Sequence, residues 1–362
     1  MAVSDATLAR ARKGDEQAFR QLTDPHRREL HMHCYRLLGS VQDAEDALQE
    51  TLIAAWRGLP GFREQATART WLYRIATNQC LNMLRARGRR PPPAPVPPFD
   101  PPEPTRHSDV TWLQPYPCSE PGHGGAVAGP EVVLESAEGI ELAFIVALQR
   151  MPPRQAAALV LSDVLGFPAD DVAAMLGASR TAAKGLLQRA RAAARGTRQD
   201  APGSAASASA ASASASAASA SASAVRASER AISRRFADAY AADDIDGVVA
   251  LLTDDAWLSM PPAPHEYQGG ALIGSFLRAS ASWRAGRRFV LVPACANGQP
   301  AFGCYLESPG QPQAAGERYA NAAGLLVLGL AGGQITSITR FLDPEVFRFV
   351  GLPATVPAPR RP

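Results

Sequence analysis

Two segments of biased composition divide the chain into three parts. Residues 88–130 begin RGRRPPPAPVPPFDPPEP, and a segment so rich in proline forms neither a helix interior nor a central strand. Residues 199–228 are almost entirely alanine and serine, with little charge and no side chain large enough to pack. We therefore expect three folded parts joined by a semi-extended linker and a disordered tether, with a transient alanine helix as the alternative for the tether.

Composition limits the class of the protein. The 362 residues suffice for two or three domains, and the net charge of +3 means that any nucleic-acid surface must be local. No run approaches the roughly eighteen apolar residues of a membrane span, and the first residues lack the apolar core of a signal peptide. We therefore expect a cytoplasmic protein with no membrane partner.

The cysteines do not indicate a disulfide framework or a metal site. There are five of them, and no two have CxxC spacing: Cys34, Cys80, Cys118, Cys295 and Cys304. His31, His33 and Cys34 lie close together, but no second pair of ligands matches them. We expect reduced cysteines, no metal and no cofactor.

The stretch from Asp43 to Trp56 has the spacing of an amphipathic helix. Its predicted buried stripe consists of Ala44, Ala47, Leu48, Thr51, Leu52 and Ala55. The opposite face is acidic and carries Ile53 among Asp43, Asp46 and Glu50. Charge alone is typical of a solvated helix face, but a solvated face gains nothing from a β-branched apolar side chain.

A second helix is predicted from Ala68 to Arg87. Its broad inner face would comprise Trp71, Leu72, Ile75, Ala76, Gln79 and Met83. The other side carries a stripe of Arg74, Asn78, Leu81 and Arg85. Cations can bind phosphates, an asparagine can read a base edge, and nearby aromatic rings can stack on an unpaired base.

Together, DAEDALQETLIAAW (43–56) and RTWLYRIATN (69–78) resemble region 2 of bacterial sigma factors of the extracytoplasmic-function group. The resemblance implies that the first helix binds the clamp of RNA polymerase through Asp43, Asp46, Glu50 and Ile53. It implies that the second helix and the preceding loop melt and hold the promoter −10 element. The implied −10 contacts are Phe62, Arg63, Arg69, Arg74, Asn78 and Arg85.

Residues 168–195 have the layout of a helix-turn-helix. A short helix ends at Gly177, Ser179 is placed to cap the next helix, and that helix has a basic outer face. MPPRQ (151–155), DVAAMLG (171–177) and QRAR (188–191) resemble sigma region 4, which reads the −35 element. The implied −35 contacts are Ser179, Arg180, Thr181, Lys184, Gln188, Arg189 and Arg191.

From residue 229 the pattern is helix, acidic turn, helix and then several strands, which indicates an α+β domain. FADAYAADDIDGVVALLTDDAWLSMPP (236–262) resembles the opening of the SnoaL-like cone fold. Some proteins of this fold are enzymes, and the ionisable candidates here are Asp255, His265, Glu266, Arg340 and Asp343. No two of them form an evident acid–base pair, so we expect no catalytic residues and no enzyme activity.

The resemblance thus implies a multidomain fold class. Two all-α sigma domains, a region 2 helical bundle and a region 4 helix-turn-helix, would be followed by an α+β SnoaL-like cone domain. The expected boundaries are 1–88 for region 2, 89–130 for the linker, 131–197 for region 4, 198–228 for the tether, 229–351 for the SnoaL-like domain and 352–362 for a tail. The apolar piece 110–116 of the linker would pack on a domain or enter the polymerase.

The implied function is that of a transcription initiation factor that binds core RNA polymerase and promoter DNA. The C-terminal domain would modulate this activity through a small-molecule ligand or an intramolecular contact. Two alternatives stay open. One is a helix-turn-helix regulator that acts without polymerase, and the other is a SnoaL-like cyclase or isomerase with a DNA-binding N-terminus.

Overall fold

The computed structural model describes residues 5–62, 67–87, 97–108, 113–118, 141–200, 215–307 and 318–358. The chain forms two compact units, each with its own core. The first unit combines Met1–Pro91 with Ile145–Gly196, and the second combines Pro92–Phe144 with Thr197–Pro362. The proline-rich linker therefore belongs to the same unit as the C-terminal domain.

Four helices make up the N-terminal part of the first unit: α1 (Asp5–Arg12), α2 (Glu16–Leu38), α3 (Val41–Gly58) and α4 (Ala68–Arg87). The first break falls at Gly14, which has a φ of +90°, and Asp15 then caps α2 by accepting from the Ala18 amide over 3.0 Å. Pro25 suggests a helix restart in the sequence, but α2 runs through this proline. A proline removes only one backbone donor, whereas Gly14 and Asp15 form a turn and a cap.

The junction between α2 and α3 agrees with the sequence. Helix α2 ends at Gly39 in the left-handed conformation, and Ser40 caps α3 by accepting from the Asp43 amide over 3.1 Å. Leu30, Leu48 and Leu72 from three different helices are almost completely buried. The four helices therefore share one apolar core.

The second helical part of this unit contains most of α5 (Leu142–Gln149), the whole of α6 (Pro153–Leu159) and α7 (Ala169–Met175), and most of α8 (Arg180–Asp200). A π-helical turn, Val160–Val164, continues α6. Arg154 donates through Nη2 to the carbonyl of Leu176 over 2.6 Å, which ties the start of α6 to the end of α7.

Helix α9 (Ala215–Ala242) replaces the last part of the predicted tether. The prediction of disorder was therefore wrong for residues 215–228, and residues 201–214 lie outside the described residues. The physical reason is the high helix propensity of alanine, which prevails once the segment continues into a packed helix. No helix in the described part of the chain has the length and apolar character of a bilayer span.

The C-terminal unit contains a curved sheet of eight strands: β1 (Arg106–His107), β2 (Leu252–Met260), β3 (Ala263–Gln268), β4 (Phe289–Ala296), β5 (Gln299–Glu307), β6 (Tyr319–Ala331), β7 (Gln334–Phe341) and β8 (Thr355–Pro357). The order is β1-β3-β2-β7-β6-β5-β4, with β8 paired to β6, and among the described strands only the β2–β7 pair is parallel. Helices α9, α10 (Ile245–Val249) and α11 (Gly270–Arg284) accompany it.

Three strands were missed by the sequence analysis. β3 includes His265 and forms a hairpin with β2, with Pro261 and Pro262 in the turn. β8 lies in the expected tail, and β1 lies in the linker, where it pairs with the outer edge of β3. Each of these short strands is stabilised by a partner strand and has little propensity of its own.

The linker is also bonded covalently to the C-terminal domain. Cys118 and Cys295 form a disulfide with a Cα–Cα distance of 5.8 Å, so the expectation of reduced cysteines was wrong for this pair. Beside it, the backbone of Tyr116 and the residue Asn297 exchange two hydrogen bonds of 2.8 and 2.9 Å. Tyr116 belongs to the apolar piece 110–116, of which residues 113–116 are described.

We predict that Gly324→Ala destabilises the C-terminal domain by about 3 kcal/mol. Gly324 has a φ of +120°, and a Cβ there would lie 2.3 Å from the carbonyl oxygen of Phe341 on the neighbouring strand. Gly332→Ala is the matched control, because its φ is +59° with open space around it, and it should cost about 1 kcal/mol. Urea unfolding measures both, and equal losses would contradict the prediction.

Candidate polymerase and nucleic-acid interfaces

One face of α3 combines exposed acidic side chains with an exposed apolar one. Asp46, Glu50 and Ile53 follow one another at helical spacing, and 42% of the Ile53 surface is open. Asp43 is half-buried in the first turn. The buried side of α3 is as predicted at Ala44, Ala47, Leu48, Thr51 and Ala55, with Leu52 half-buried. Such a face can bind a protein surface that offers apolar and basic groups.

Helix α4 presents a polar and cationic stripe. Arg74, Asn78 and Arg85 are exposed, and Arg85 Nη1 donates to Asn82 Oδ1 over 2.9 Å. Leu81 was predicted for the same stripe but is only 3% exposed. Helical periodicity gives the position of a residue around the helix axis. It does not tell which turns of the helix are covered by neighbouring elements, and the assignment of Leu81 to the exposed stripe failed for this reason.

Phe62, one of the implied −10 contacts, is part of the core. It is 9% exposed, and its ring lies 4.8 Å from that of Trp71, measured between centroids. Its carbonyl also accepts a hydrogen bond from Arg12. Arg63, the other predicted contact of this loop, lies outside the described residues.

Arg69 is engaged with its own unit. Its Nε lies 3.1 Å from Glu29 Oε2, and its guanidinium covers the rings of Tyr73 and Phe167 at 4.9 and 4.7 Å. The rings of Tyr73 and Phe167 also contact each other, at 5.2 Å. Because Phe167 precedes α7, these contacts pack the start of α4 against the helix-turn-helix part of the same unit.

A buried polar contact orients α4. His33 on α2 lies 2.9 Å from the hydroxyl of Thr77, and neither residue is exposed. Burial lowers the pKa of His33 to about 3, so the imidazole is neutral in the core. Tyr73 donates to Glu29 over 3.2 Å, and burial raises the pKa of Tyr73. These contacts hold the exposed stripe of α4 in a defined orientation.

The helix-turn-helix expected from the sequence is present. α7 and α8 are joined by a turn in which Gly177 has a φ of +56°. Ser179 caps α8 by accepting from the Ala182 amide over 3.2 Å. The predicted contact residues of α8 are all exposed: Ser179, Arg180, Thr181, Lys184, Gln188, Arg189 and Arg191.

Two of these residues pair within the domain. Arg191 forms a bidentate ion pair with Asp163, with Nη2–Oδ1 and Nε–Oδ2 distances of 2.7 and 2.8 Å. Arg180 Nε lies 3.1 Å from Asp170 Oδ1. The Arg191 hydrogen bond lowers the pKa of Asp163, and the ion pair attaches α8 to the π-helical turn. Arg191 thus positions the helix as well as presenting charge.

The ionisable candidates of the C-terminal domain occupy separate places. Glu266 is buried against Arg106, and Asp343 caps a 3₁₀ turn by accepting from the Glu345 amide over 2.9 Å. His265 faces His107 with ring centroids 5.8 Å apart, and burial lowers the pKa of His265. Arg340 is buried on β7, and Asp255 is half-buried on β2.

Sequence reasoning missed the attachment of the linker. Arg106 pairs with Glu266 at 2.5 Å and lies 4.1 Å over the Trp257 ring. Tyr267 donates to the carbonyl of Pro102 over 2.8 Å, and Phe99 packs on Phe276 with centroids 5.4 Å apart. Sequence spacing does not predict contacts between residues about 160 positions apart.

Comparisons with known proteins agree with this architecture. Residues 22–90 match the family model of Sigma-70 region 2, residues 141–193 that of Sigma-70 region 4, and residues 233–338 that of the SnoaL-like domain. The chain is 37% identical over 347 residues to the ECF RNA polymerase sigma factor SigG of Mycobacterium tuberculosis (strain ATCC 25618 / H37Rv). That alignment covers 94% of this chain and 85% of SigG.

Two further relatives come from the same species. SigM, another ECF RNA polymerase sigma factor, is 36% identical over 190 residues, which cover 52% of this chain and 82% of SigM. The crystal structure of the extracytoplasmic-function sigma factor SigJ aligns with a TM-score of 0.54 at 22% identity. It covers 94% of this chain and 99% of SigJ, and it shows a shared fold.

We predict that Asp163→Asn lowers the stability of the helical unit by about 0.5 kcal/mol at pH 7, because the pair with Arg191 is partly exposed. The folded-state pKa of Asp163 is lowered, so the contribution is present at neutral pH and is lost as the pH falls through that pKa. Urea unfolding at pH 7 and pH 3 should show a smaller difference at pH 3 than at pH 7. The exposed Glu50→Gln serves as control, and a difference of the same size at both pH values would contradict the prediction.

Proposed function

Because the chain belongs to the extracytoplasmic-function group of RNA polymerase sigma factors, we propose that it binds core RNA polymerase through the exposed face of α3. Asp46, Glu50 and Ile53 carry this proposal, since they form one accessible strip. Burial of Ile53 would supply apolar contact, and the two carboxylates would face basic groups of the polymerase. Asp43, half-buried at the start of the helix, would contribute mainly through its charge.

The −10 element is proposed to bind along α4. Arg74 and Arg85 are free of carboxylate partners among the described residues, so they can neutralise phosphates, and Asn78 between them can read a base edge. Arg69 would join them only after leaving Glu29 and Phe167. Phe62 would likewise have to leave Trp71 before it could stack on a base.

The −35 element is proposed to bind α8, with the helix N-terminus directed at the bases. Arg180, Thr181 and Lys184 are exposed within the first two turns, where side chains reach base edges in the major groove. Gln188, Arg189 and Arg191 are proposed to contact phosphates, and Ser179 to hold the first turn by its cap. Promoter recognition would therefore use both helical parts, with α4 at the −10 element and α8 at the −35 element.

The C-terminal domain is proposed to modulate initiation by holding the linker. Sigma linkers between regions 2 and 4 enter the polymerase in the family that this chain resembles, whereas here the linker forms an edge strand, an ion pair and a disulfide with the C-terminal domain. A linker held in this way cannot enter the polymerase. We propose no catalytic role for the domain, because Glu266 and Asp343 are already engaged in structural contacts.

The first test is Ile53→Asp. It should weaken binding to core RNA polymerase by about 2 kcal/mol, or roughly thirtyfold, because it places a charge at the apolar centre of the strip. Fluorescence anisotropy with labelled protein measures the affinity, and circular dichroism checks the fold. Gln49→Asp adds the same charge to an exposed position outside the strip and should bind normally. Normal binding by Ile53→Asp would overturn the assignment of the face.

The second test is run-off transcription with core RNA polymerase on the DNA upstream of the gene for this protein. The full chain, a chain ending at Arg198 and the variant Arg106→Ala should all direct transcription. The chain ending at Arg198 should be the most active, because it lacks the domain that holds the linker, and Arg106→Ala should be intermediate, because it loses the ion pair with Glu266 while the disulfide still attaches the linker. Equal activity of all three would contradict linker holding.

A further result of the same experiment separates the alternatives. Duplex binding without transcription from any of the three proteins would favour a helix-turn-helix regulator that acts without polymerase. Turnover of a cyclase or isomerase substrate by the full chain would contradict the proposal that the C-terminal domain has no catalytic role.

A further inference from the structure

The concave face of the C-terminal sheet is lined by apolar and aromatic side chains. Phe302 on β5 lies 6.1 Å from Phe236 on α9, and Phe236 stacks on Tyr240 at 5.4 Å. Tyr240 in turn stacks on Phe289 of β4 at 5.7 Å. All four rings are at most 5% exposed. This aromatic group forms one end of the core of the domain.

Arg340 lies among these rings. It follows Ile338 by two positions on β7, so both side chains point to the same concave face. Arg340 is 7% exposed, and its guanidinium carbon is 5.4 Å from the centre of the Phe289 ring. Its Nε and Nη1 atoms are buried, and no group among the described residues accepts a hydrogen bond from them.

A second buried arginine, Arg284, has a carboxylate partner of the kind that Arg340 lacks among the described residues. Arg284 is 3% exposed and lies 4.6 Å from the same Phe289 ring. It forms an ion pair with Asp243 and donates to the carbonyl of Arg287 over 3.0 Å. Two cations therefore flank one ring, while the described residues supply a carboxylate to only one of them.

Neighbouring groups do not neutralise Arg340. Burial raises the pKa of the Cys304 thiol to about 12 and raises the pKa of Tyr240, although the positive charge of Arg340 opposes both shifts. Both groups are therefore neutral at pH 7. A guanidinium keeps its charge in proteins, and a buried charge without a partner is costly, so the site favours an anion.

We propose that the C-terminal domain binds a small organic anion, with a carboxylate or similar group on Arg340 and an apolar body against the aromatic group. Charge-assisted hydrogen bonds from the guanidinium would hold the anion, and Tyr240 can donate a further one. The rings of Phe236, Phe289 and Phe302 would accept the apolar body. This inference names the chemistry of a ligand, and it stands whether or not the domain restrains transcription.

The test uses the full chain and two fluorescent probes of similar shape. One is 8-anilinonaphthalene-1-sulfonate, which is anionic, and the other is N-phenyl-1-naphthylamine, which lacks the sulfonate. Arg340→Met should weaken binding of the anionic probe by about tenfold or more and leave the neutral probe unchanged. Arg278→Met is the control, because Arg278 is exposed and pairs with Asp246 on the surface.

Thermal unfolding gives a second, independent readout. Without probe, Arg340→Met should melt at a higher temperature than the wild type, because it removes an unpaired buried charge. The anionic probe should raise the melting temperature of the wild type and not that of the variant.

Three results would overturn the proposal. Equal affinity of both proteins for the anionic probe would show that Arg340 does not hold the anion. Equal weakening for both probes, or a variant that melts lower or fails to fold, would show that Arg340 is a structural residue with a partner in the protein. None of these readouts involves polymerase or DNA, so they are independent of the sigma-factor assignment.

Discussion

The ion pair between Arg106 and Glu266 is one of the contacts that attach the proline-rich linker to the C-terminal domain, and this attachment places the linker in the second unit. The Glu266 side chain is only 5% exposed, and its counter-charge comes from a residue in the proline-rich linker. A segment of this kind has few hydrogen bonds of its own, so it becomes ordered only where another element supplies partners. Strand β3 supplies them along its free edge, and the linker thereby belongs to the C-terminal domain instead of to the helices that it connects.

The helical parts were largely predictable because their signals are local. Ser179 caps a helix where it was expected, and the stripe of α3 is buried as its spacing indicates, except at the half-buried Leu52. The edge strands β1 and β8 were not predictable, since a strand of two or three residues is determined by its neighbour in the sheet. The disulfide was missed for a related reason: 177 positions separate its cysteines, and spacing carries no information at that range.

The candidate interfaces show the same limit at the level of single side chains. Helical periodicity correctly placed Arg74 and Asn78 on an open surface, but it also placed Leu81 there, and Leu81 is covered. The family resemblance implied that Phe62 contacts the −10 element, and in the structure its ring packs on Trp71. Arg340 was recognised as an ionisable candidate from the sequence. Only the three-dimensional structure shows that Arg284 has a carboxylate and that no described residue accepts from Arg340 Nε or Nη1.

The bond between Cys118 and Cys295 changes the connectivity of the chain. It closes a covalent ring that contains the whole helix-turn-helix region, so this region is joined to the C-terminal domain by two backbone paths. Cutting one peptide bond anywhere inside the ring would leave the molecule in one piece. Any separation of the helix-turn-helix from the C-terminal domain must be accommodated by both paths at once. Reduction of one sulfur–sulfur bond would turn this closed loop into a linear string of domains.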